Sequence, residues 1–274
     1  LYSDVSLPSY VNYPANAPQH AGHGSHELRR YTDQPNKGAF SDEGQRRVRH
    51  AYYACVSYVD AQIGRVLDEL DRQGMRENTV VCLFGDHGYH LGEQGLWGKT
   101  TNFELDTLGP LSVRHPGMKA AGRRSVSIVE LVDIYPTLSE LAGLSSRKEL
   151  EGESFAALLQ SPDTATDQIA ISQYPRGDRM GYSLRTPTHR LTQWRSTQSR
   201  EIQATELYEY SKGLIEEENT ANRPENAQLL AQLSAQLENA ISVPAKIVRV
   251  AGVGDSINYG AGTSFENVEA GNFR

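Results

Sequence analysis

The sequence lacks several features that would have placed it in a particular class of protein. It has only two cysteines, Cys55 and Cys82, and neither lies in C-x-x-C spacing, so we predict two small core residues and neither a disulfide nor a thiolate metal site. It has no excess of positive charge, because 27 Lys and Arg stand against 34 Asp and Glu, and this argues against general nucleic-acid binding. No apolar run approaches the roughly 18 residues of a transmembrane helix, so we expect no membrane span.

The chain also lacks an initial Met and a signal peptide. Leu1 opens a phrase, LYSDVSLPSYVNYP, that is typical of the interior of a chain, and we expect a piece of a longer protein. The absent signal peptide therefore decides nothing about export. With 38% hydrophobic and 22% charged residues, the 274-residue chain has the composition of a globular protein with one large α/β domain or two smaller ones.

Residues 79–103, TVVCLFGDHGYHLGEQGLWGKTTNF, contain the residues best suited to chemistry. A β-rich apolar run over 79–84 ends just before Asp86 and His87, and ligands of open α/β sheets collect outside the carboxyl ends of strands. Lys99 follows at the end of a Gly-rich loop and can return to the same crevice. A carboxylate and an imidazole beside a cation suit a metal that holds an anionic substrate. The alternative is a strand-end turn in which Asp86 caps a helix and His87 is polar surface.

The segments around this motif indicate an α/β fold. Residues 42–73 repeat apolar side chains at three- and four-residue steps, which predicts a helix with one apolar stripe. The strand 79–84 follows, and residues 110–117 predict a short strand closed by a turn. Residues 133–141 predict a second helix, with a proline in its first turn.

The composition changes after about residue 165. Short alternating segments at 168–174, 181–194 and 206–210 predict an antiparallel sheet of three or four strands. Residues 224–240 predict an amphipathic helix with leucines on one face.

The first forty residues have a different character from the rest. Residues 1–40 are rich in Pro, Asn, Gly, His and Tyr without periodicity, and they predict a loop-rich segment laid over a larger body. His20, His23 and His26 have a spacing that a metal could use, but such a run in a polar loop is more often solvent-exposed. We therefore expect these histidines to be exposed.

Seven phrases occur in an order that resembles the sulfatase family, especially its iduronate-type members. They are AYYACVSYVDAQIGRVLDELD, VVCLFGDHGYHLGEQGLWGKTTNFE, IVELVDIYPTLSELAGL, LEGESFAALL, SQYPR, MGYSLRT and ELYEY. The match covers roughly residues 1–240. Many metal-dependent hydrolases of the alkaline phosphatase superfamily have an Asp-His turn, whereas DHGYHLGEQGLWGK followed by MGYSLRT is specific for the iduronate-type sulfatases.

The resemblance implies a fold and a division of the chain. Residues 1–165 would be the C-terminal part of the sulfatase α/β domain, with an alkaline phosphatase-like mixed sheet flanked by helices that is incomplete in this chain. Residues 166–240 would be a small C-terminal subdomain with an antiparallel sheet and a helix. Residues 241–274 would form a tail.

The resemblance also implies roles for residues of the motif. Asp86 and His87 match a pair that helps to hold one Ca²⁺ ion, and His87 either approaches the ion or mainly contacts the sulfate. Lys99 matches the lysine that contacts the sulfate ester and steadies its leaving oxygen. Tyr89 and Thr100 occupy neighbouring positions that could line the sugar pocket, although Tyr89 could instead pack the loop.

The chain departs from the family pattern where the nucleophile should be. The family makes a formylglycine from the Cys of a C-x-P-S-R signature, and neither Cys55 nor Cys82 lies in one. The N-terminal Asp pair that completes the calcium site is also absent, as are the Lys and His that follow the signature and the HKPH-like segment. The resemblance therefore implies that the chain lacks a nucleophile, is catalytically incomplete alone, and needs an N-terminal segment of its own protein.

The last residues raise a separate possibility. Residues 246–267, KIVRVAGVGDSINYGAGTSFEN, resemble the opening block of SGNH/GDSL esterases, in which Ser256 would be the nucleophile. Its Asp-x-x-His partner block would lie beyond Arg274, and a serine without its base is a poor nucleophile. The alternative is a Gly-rich strand and turn, and we expect an inert tail in either case.

The resemblance implies a sulfuric ester hydrolase that acts on a sulfated saccharide. One alternative is a phosphomonoesterase or phosphodiesterase of the same superfamily, which typically uses Ser or Thr, two transition metals and more His ligands than stand near Asp86. Others are a non-catalytic glycan-binding fragment and a truncated gene product that folds poorly alone. Related enzymes are lysosomal in animals and exported in glycan-degrading bacteria, so the compartment stays open.

Overall fold

The computed structural model describes residue 2 and residues 4–145, 147, 149–164, 166, 168–211 and 213–242. Helices and strands are interspersed up to residue 141, and an antiparallel sheet with one helix follows, so the α/β class is confirmed. The helices are α1 (Asp42–Arg72), α2 (Glu104–Thr107), α3 (Ile134–Leu141) and α4 (Ala227–Ser242). The strands are β1 (Val81–Phe84), β2 (His90–Leu91), β3 (Trp97–Gly98), β4 (Leu111–Arg114), β5 (Ala170–Arg176), β6 (Arg179–Arg185), β7 (His189–Ser196) and β8 (Ile202–Glu209).

Helix α1 begins and ends close to the predicted residues because its boundaries are set locally. The Ser41 hydroxyl accepts a hydrogen bond from the Gly44 amide at 3.1 Å, and acidic residues occupy the first turn, where they favour the helix dipole. Its apolar stripe, however, is largely exposed: Val56, Val59 and Val66 are each more than half accessible. Within the part of the chain that the structure describes, Arg49 is the one residue of this helix that is buried.

The cysteines do not lie in a core, which corrects the prediction from the sequence. Cys55 is exposed on α1 and Cys82 is half-buried in β1, and both are free thiols. The stripe of α1 has the periodicity of a buried face, but nothing in the described residues covers it at Cys55. Strand β1 pairs antiparallel with β4 in a two-stranded sheet, and Leu83 and Phe84 remain exposed beside it.

The C-terminal strands form one antiparallel sheet in the order β5-β6-β7-β8, so the predicted antiparallel sheet of three or four strands has four. Leu184, Leu191 and Leu207 are cross-strand neighbours on one face, where Leu233 and Leu237 of α4 pack against them. All five leucines are almost completely buried. This helix-covered face is therefore an ordinary apolar core, and burial of its side chains stabilises the sheet.

The opposite face of the sheet is covered by loops of the N-terminal half. Trp194 and Tyr208 project from it into a second cluster with Ala21, Leu96 and Phe103. The N-terminal segment thus lies over a larger body, as predicted, but two of its histidines are not exposed. His20 packs edge-on against Trp194 at 4.8 Å between ring centroids, and burial lowers the pKa of His23 to about 4. A polar loop became partly buried because the sheet supplies aromatic partners.

Two further predictions concern the membrane and the tail. Among the described residues no helix combines the length and hydrophobicity needed to cross a bilayer. The predicted tail 241–274, with the esterase-like block and Ser256, lies outside the described residues from position 243 onward.

Candidate functional site

The turn that carries Asp86 and His87 lies directly after β1 and packs by its backbone against residues 105–110. The Gly85 amide donates to the Pro110 carbonyl at 2.9 Å, and the Gly88 amide donates to the Asp106 carbonyl at 2.8 Å. A Cβ at position 88 would lie 1.9 Å from the Leu105 carbonyl oxygen, so only glycine permits this approach. The side chains of Asp86 and His87 remain 45% and 34% exposed. The turn is therefore fixed by its backbone while its two polar side chains stay accessible.

His87 is oriented so that one ring nitrogen is available. Its Nδ1 lies 2.8 Å from the Gly88 carbonyl oxygen, which can only accept, so Nδ1 carries the proton. In the neutral imidazole the Nε2 lone pair is then free, and it lies 3.5 Å from Asp86 Oδ2. An imidazole nitrogen and a carboxylate oxygen thus face the same space, which suits a shared cation.

The described residues supply only part of a metal site. Among them, no group of three or more His, Cys, Asp or Glu side chains could hold a metal ion. Calcium takes six to eight oxygen ligands, and Asp86 and His87 together offer two or three donor atoms, of which one is nitrogen. The pair therefore fits a calcium site only if further oxygen ligands are supplied from elsewhere.

Lys99 follows a short hairpin in which His90 pairs with Gly98 and Leu91 with Trp97. Gly98, the residue before Lys99, has a φ of +110°, a backbone conformation that glycine adopts readily and other residues rarely do. Lys99 Nζ lies 3.7 Å from Glu27 Oε1, with both side chains partly exposed. The sequence analysis did not identify Glu27, because it lies in a loop with no motif.

Tyr89 stands on the same hairpin and is half-buried. Its ring lies against the ring of Tyr52 at 5.2 Å between centroids, so packing of the loop accounts for part of its position. Burial, and next the charge of Glu27, raise the pKa of Tyr89 to about 12. Its hydroxyl is therefore neutral and can donate a hydrogen bond at physiological pH.

Asp106 joins the turn to the residues after Lys99. Its carbonyl accepts from Gly88, and its carboxylate accepts from the amide and hydroxyl of Thr101 at 2.8 and 2.6 Å. The same carboxylate accepts from His90 Nδ1 at 2.6 Å, while His90 Nε2 lies 2.8 Å from Gln94 Oε1. Positions 88 and 101 thus lie against one residue, which puts His87 and Lys99 near the same part of the fold.

His90 donates from both of its ring nitrogens, because Asp106 and the Gln94 oxygen both accept. The Gln94 amide group is oriented by its own donation to the Glu216 carbonyl at 2.8 Å. Burial by itself lowers the pKa of His90, but the hydrogen bond and charge of Asp106 outweigh it, so that pKa is raised. The pair is a buried, charge-assisted contact beneath the hairpin.

Residues 99–106, called here the Lys99 segment, are also attached to the C-terminal sheet. Arg176 donates to the Thr100 carbonyl, and Asn102 Nδ2 donates to the Gly181 carbonyl at 3.1 Å. Glu104 accepts two hydrogen bonds at 2.9 Å from Arg185 and a third from Arg190. Burial would raise the pKa of Glu104, but the two guanidinium groups outweigh it, so that pKa is lowered. Alternate residues of the segment therefore bind the sheet.

Three residues that hold the candidate site in place were missed by the sequence analysis: Asp106, Glu104 and Arg176. Glu104 and Arg176 act through partners far away in the chain, and Asp106 acts through Gly88, His90 and Thr101; single positions in a motif do not reveal such pairs. One signal was available, since Glu104 and Asp106 interrupt the apolar phrase NFELDTL. Buried acidic residues of that kind require partners.

Known proteins are similar to this chain in sequence and in fold. Residues 18–144 match the family described as Sulfatase, and residues 92–242 match the family described as N-sulphoglucosamine sulphohydrolase, C-terminal. The iduronate 2-sulfatase of Mus musculus is 32% identical over 263 residues, an alignment that covers 72% of this chain and 48% of the mouse protein. The chain thus spans about half the length of the curated relatives it matches first.

Solved structures agree with this grouping. A protein solved in complex with its substrate D-glucosamine-2-N,6-O-disulfate superposes with a TM-score of 0.59 at 26% identity, covering 70% of this chain and 40% of that chain. A phosphonate monoester hydrolase from Silicibacter pomeroyi superposes with a TM-score of 0.68 at 23% identity, covering 85% of this chain and 50% of that chain. At that identity the second likeness concerns the fold alone.

Proposed function

Because the chain belongs to the sulfatase family, we propose that the protein containing it hydrolyses sulfate esters of a sulfated saccharide, as an iduronate-type enzyme of glycosaminoglycan degradation. The observation that carries this proposal is the attachment of two short segments to Asp106. One segment offers a carboxylate and an imidazole, and the other offers an ammonium group. Sulfate monoester hydrolysis needs these groups, since it requires a cation at the sulfate and a positive charge at the leaving oxygen.

In this proposal each group acts on a defined part of the ester. The Lys99 ammonium contacts the sulfate and stabilises the negative charge that gathers on the bridging oxygen as the S–O bond breaks. Tyr89 and Thr100 line the sugar pocket, with the neutral Tyr89 hydroxyl as a donor to the saccharide. His87 presents Nε2 either to the ion or, when protonated, to a sulfate oxygen.

Asp86 and His87 would hold the metal, which we propose to be one Ca²⁺ ion. Bound there, calcium would neutralise and orient the sulfate group. We propose that the remaining ligands lie outside this chain because the pair offers only two or three donor atoms, and that the nucleophile does so because neither Cys55 nor Cys82 lies in a C-x-P-S-R signature.

The surface of α1 supports the proposal that the chain is only part of the catalytic unit. Val56, Val59 and Val66 form an exposed apolar stripe, and Phe84 is exposed on neighbouring β1. Contiguous exposed apolar patches usually mark a surface that another segment or protein covers. We assign this cover to the N-terminal segment of the same protein, without which the chain should not hydrolyse sulfate esters.

The test is turnover of an aryl sulfate by the protein encoded by the complete reading frame, in which Lys99→Ala is compared with Lys119→Ala. Lys119 is an exposed lysine in the loop after β4 and serves as the matched control. Removing the positive charge at the leaving oxygen should lower kcat by about 10²–10³-fold, whereas the control should be unchanged. Calcium binding, followed by calorimetry, should survive in both variants.

Three results would contradict the proposal in different ways. Near-normal turnover by Lys99→Ala would remove the assigned role of the lysine. Faster cleavage of an aryl phosphate or phosphonate than of the sulfate would favour a phosphoric ester hydrolase. Saccharide binding without any hydrolysis by the complete protein would indicate a glycan-binding function.

A further inference from the structure

Arg176, the last residue of β5, connects three segments of the chain. Its NH2 group donates to the Thr100 carbonyl, its Nε donates to the Gly22 carbonyl at 3.2 Å, and its NH1 donates to the Pro175 carbonyl at 3.3 Å. The guanidinium also lies over the ring of Tyr174, 4.5 Å from the centroid. Each of its three nitrogens therefore has a backbone acceptor, and the group is held in one orientation.

The residue that Arg176 contacts has an unusual backbone. Thr100 has a φ of +96°, which a β-branched residue rarely adopts, and such conformations persist only where surrounding contacts hold them. Two hydrogen bonds hold the backbone on this side. Arg176 donates to the Thr100 carbonyl, and the Thr101 amide donates to the Asp106 carboxylate at 2.8 Å. The direction in which Lys99 leaves the chain depends on this conformation, because the two residues are adjacent.

We propose that Arg176 is a positioning residue that fixes the Lys99 ammonium group through the carbonyl of Thr100. The inference rests on the proposed function for its catalytic meaning, since it is Lys99, and not Arg176, that would contact the ester. Arg176 restrains the peptide between Thr100 and Thr101, and with it the backbone conformation of Thr100, and so keeps the adjacent Lys99 ammonium group beside Glu27 and directed to one place. Without it, Thr100 relaxes toward negative φ and the lysine side chain points elsewhere.

The contacts of Arg176 distinguish this role from general support of the sheet. The apolar face that stabilises the sheet lies on its other side, under α4. Arg179 lies across the same hairpin and is paired with Arg176 in the β5–β6 register, but its own side chain bonds Asp178 at 2.9 Å. Arg179 is thus a matched control: the same residue type in the same hairpin, with no bond to the Lys99 segment among the described contacts.

The experiment observes the lysine directly in this chain. Its six lysines are reductively methylated with ¹³C, which keeps their charge, and the Lys99 signal is assigned by its loss in Lys99→Arg. In Arg176→Met, which keeps an apolar stem over Tyr174, the Lys99 signal should narrow and shift toward the signals of exposed Lys37 and Lys119. Arg176→Lys should restore part of the wild-type position, and Arg179→Met should leave it unchanged.

The proposal is overturned if Lys99 has the same shift and linewidth in Arg176→Met as in the wild type. It is also overturned if Arg176→Met and Arg176→Lys both lose the cooperative unfolding transition, because Arg176 would then support the fold as a whole. This readout does not depend on turnover. A failure of the Lys99 role in ester hydrolysis would appear in the activity test alone, so the two proposals fail separately.

Discussion

The turn at Asp86 and His87 contacts the Lys99 segment at Asp106, but the turn and the segment are held in opposite ways. The side chains of Asp86 and His87 are 45% and 34% exposed, whereas those of Glu104 and Asp106 are 6% and 2% exposed. Backbone contacts fix the turn and leave its side chains open. The Lys99 segment is fixed by charged side chains of Arg176, Arg185 and Arg190 that reach it from the C-terminal sheet.

This difference separates two requirements of a candidate catalytic site. A metal ligand has to remain accessible until the other ligands meet it, so its stability contribution within this chain is small. A group that stabilises a transition state needs a fixed position before the reaction begins, which requires surrounding structure. The described residues provide that structure on the Lys99 side only.

The largest expected effect tests the buried side of the comparison. Glu104→Ala leaves Arg185 and Arg190 without their shared carboxylate in a buried place, and it should lower the free energy of unfolding by about 3–5 kcal/mol. Urea denaturation of the chain measures this value. Asp163→Ala, which breaks an exposed pair with Arg123, should leave the midpoint almost unchanged. If Glu104→Ala lowers the free energy of unfolding only slightly, the Lys99 segment is not held by these charges.

The second prediction concerns pH and the same face of the sheet. Burial raises the pKa of Glu206 to about 7, although hydrogen bonds from Tyr208 and Trp194 oppose the rise. The folded state therefore retains a proton that the unfolded state loses near its ordinary value, so stability falls as pH rises between about 4.5 and about 7. Glu206→Gln should remove this fall. The free energy of unfolding of the variant minus that of the wild type should therefore be up to roughly 3 kcal/mol larger at pH 8 than at pH 4.

Urea midpoints of the wild type and Glu206→Gln across this pH range provide the measurement. Glu209→Gln changes an exposed carboxylate on the same strand and should give a curve parallel to the wild type. If the curve of stability against pH for Glu206→Gln is also parallel to that of the wild type, burial on this face does not make ionisation of Glu206 destabilising.

The smallest effect tests the open side. Asp86→Asn changes a half-exposed carboxylate beside the partly exposed His87 ring, so the free energy of unfolding should change by less than about 0.5 kcal/mol. The measurement is again urea denaturation of the chain. A loss as large as that of Glu104→Ala would show that both sides of the site are held alike, and the comparison would fail.

Much of the fold was predictable because it depends on nearby residues. The bounds of α1 follow from the Ser41 cap and from a steady apolar period, and both are local properties. The four C-terminal strands follow from alternation, and their leucines form the core that this pattern implies. The burial of Cys55 was predicted wrongly, because periodicity shows which face of a helix is apolar and not whether another element covers it.

The candidate site residues stay a prediction from the sequence, whereas the contacts that hold the surrounding segments could not be predicted from it. Asp86, His87 and Lys99 were predicted from one phrase, and in the structure Gly88 and Thr101, which lie next to them in the chain, both contact Asp106. Glu27, Arg176 and Arg190 were not identified, because the residues they contact lie about 70 to 90 positions away along the chain. A sequence pattern has no signal for such distances unless the folded backbone is known.

The sequence by itself determined the family of the chain, the approximate positions of its longer helices and strands, and the types of side chain available for ester chemistry, because these are properties of short phrases. Only the tertiary structure decided which of those side chains are held and which are open. The reason is physical: a hydrogen bond between Arg176 and Thr100, or a charge pair between Glu104 and Arg190, exists only after the C-terminal sheet has packed on the Lys99 segment. The side chains of Asp86 and His87 lie on the open side, and charged side chains hold the backbone on the Lys99 side.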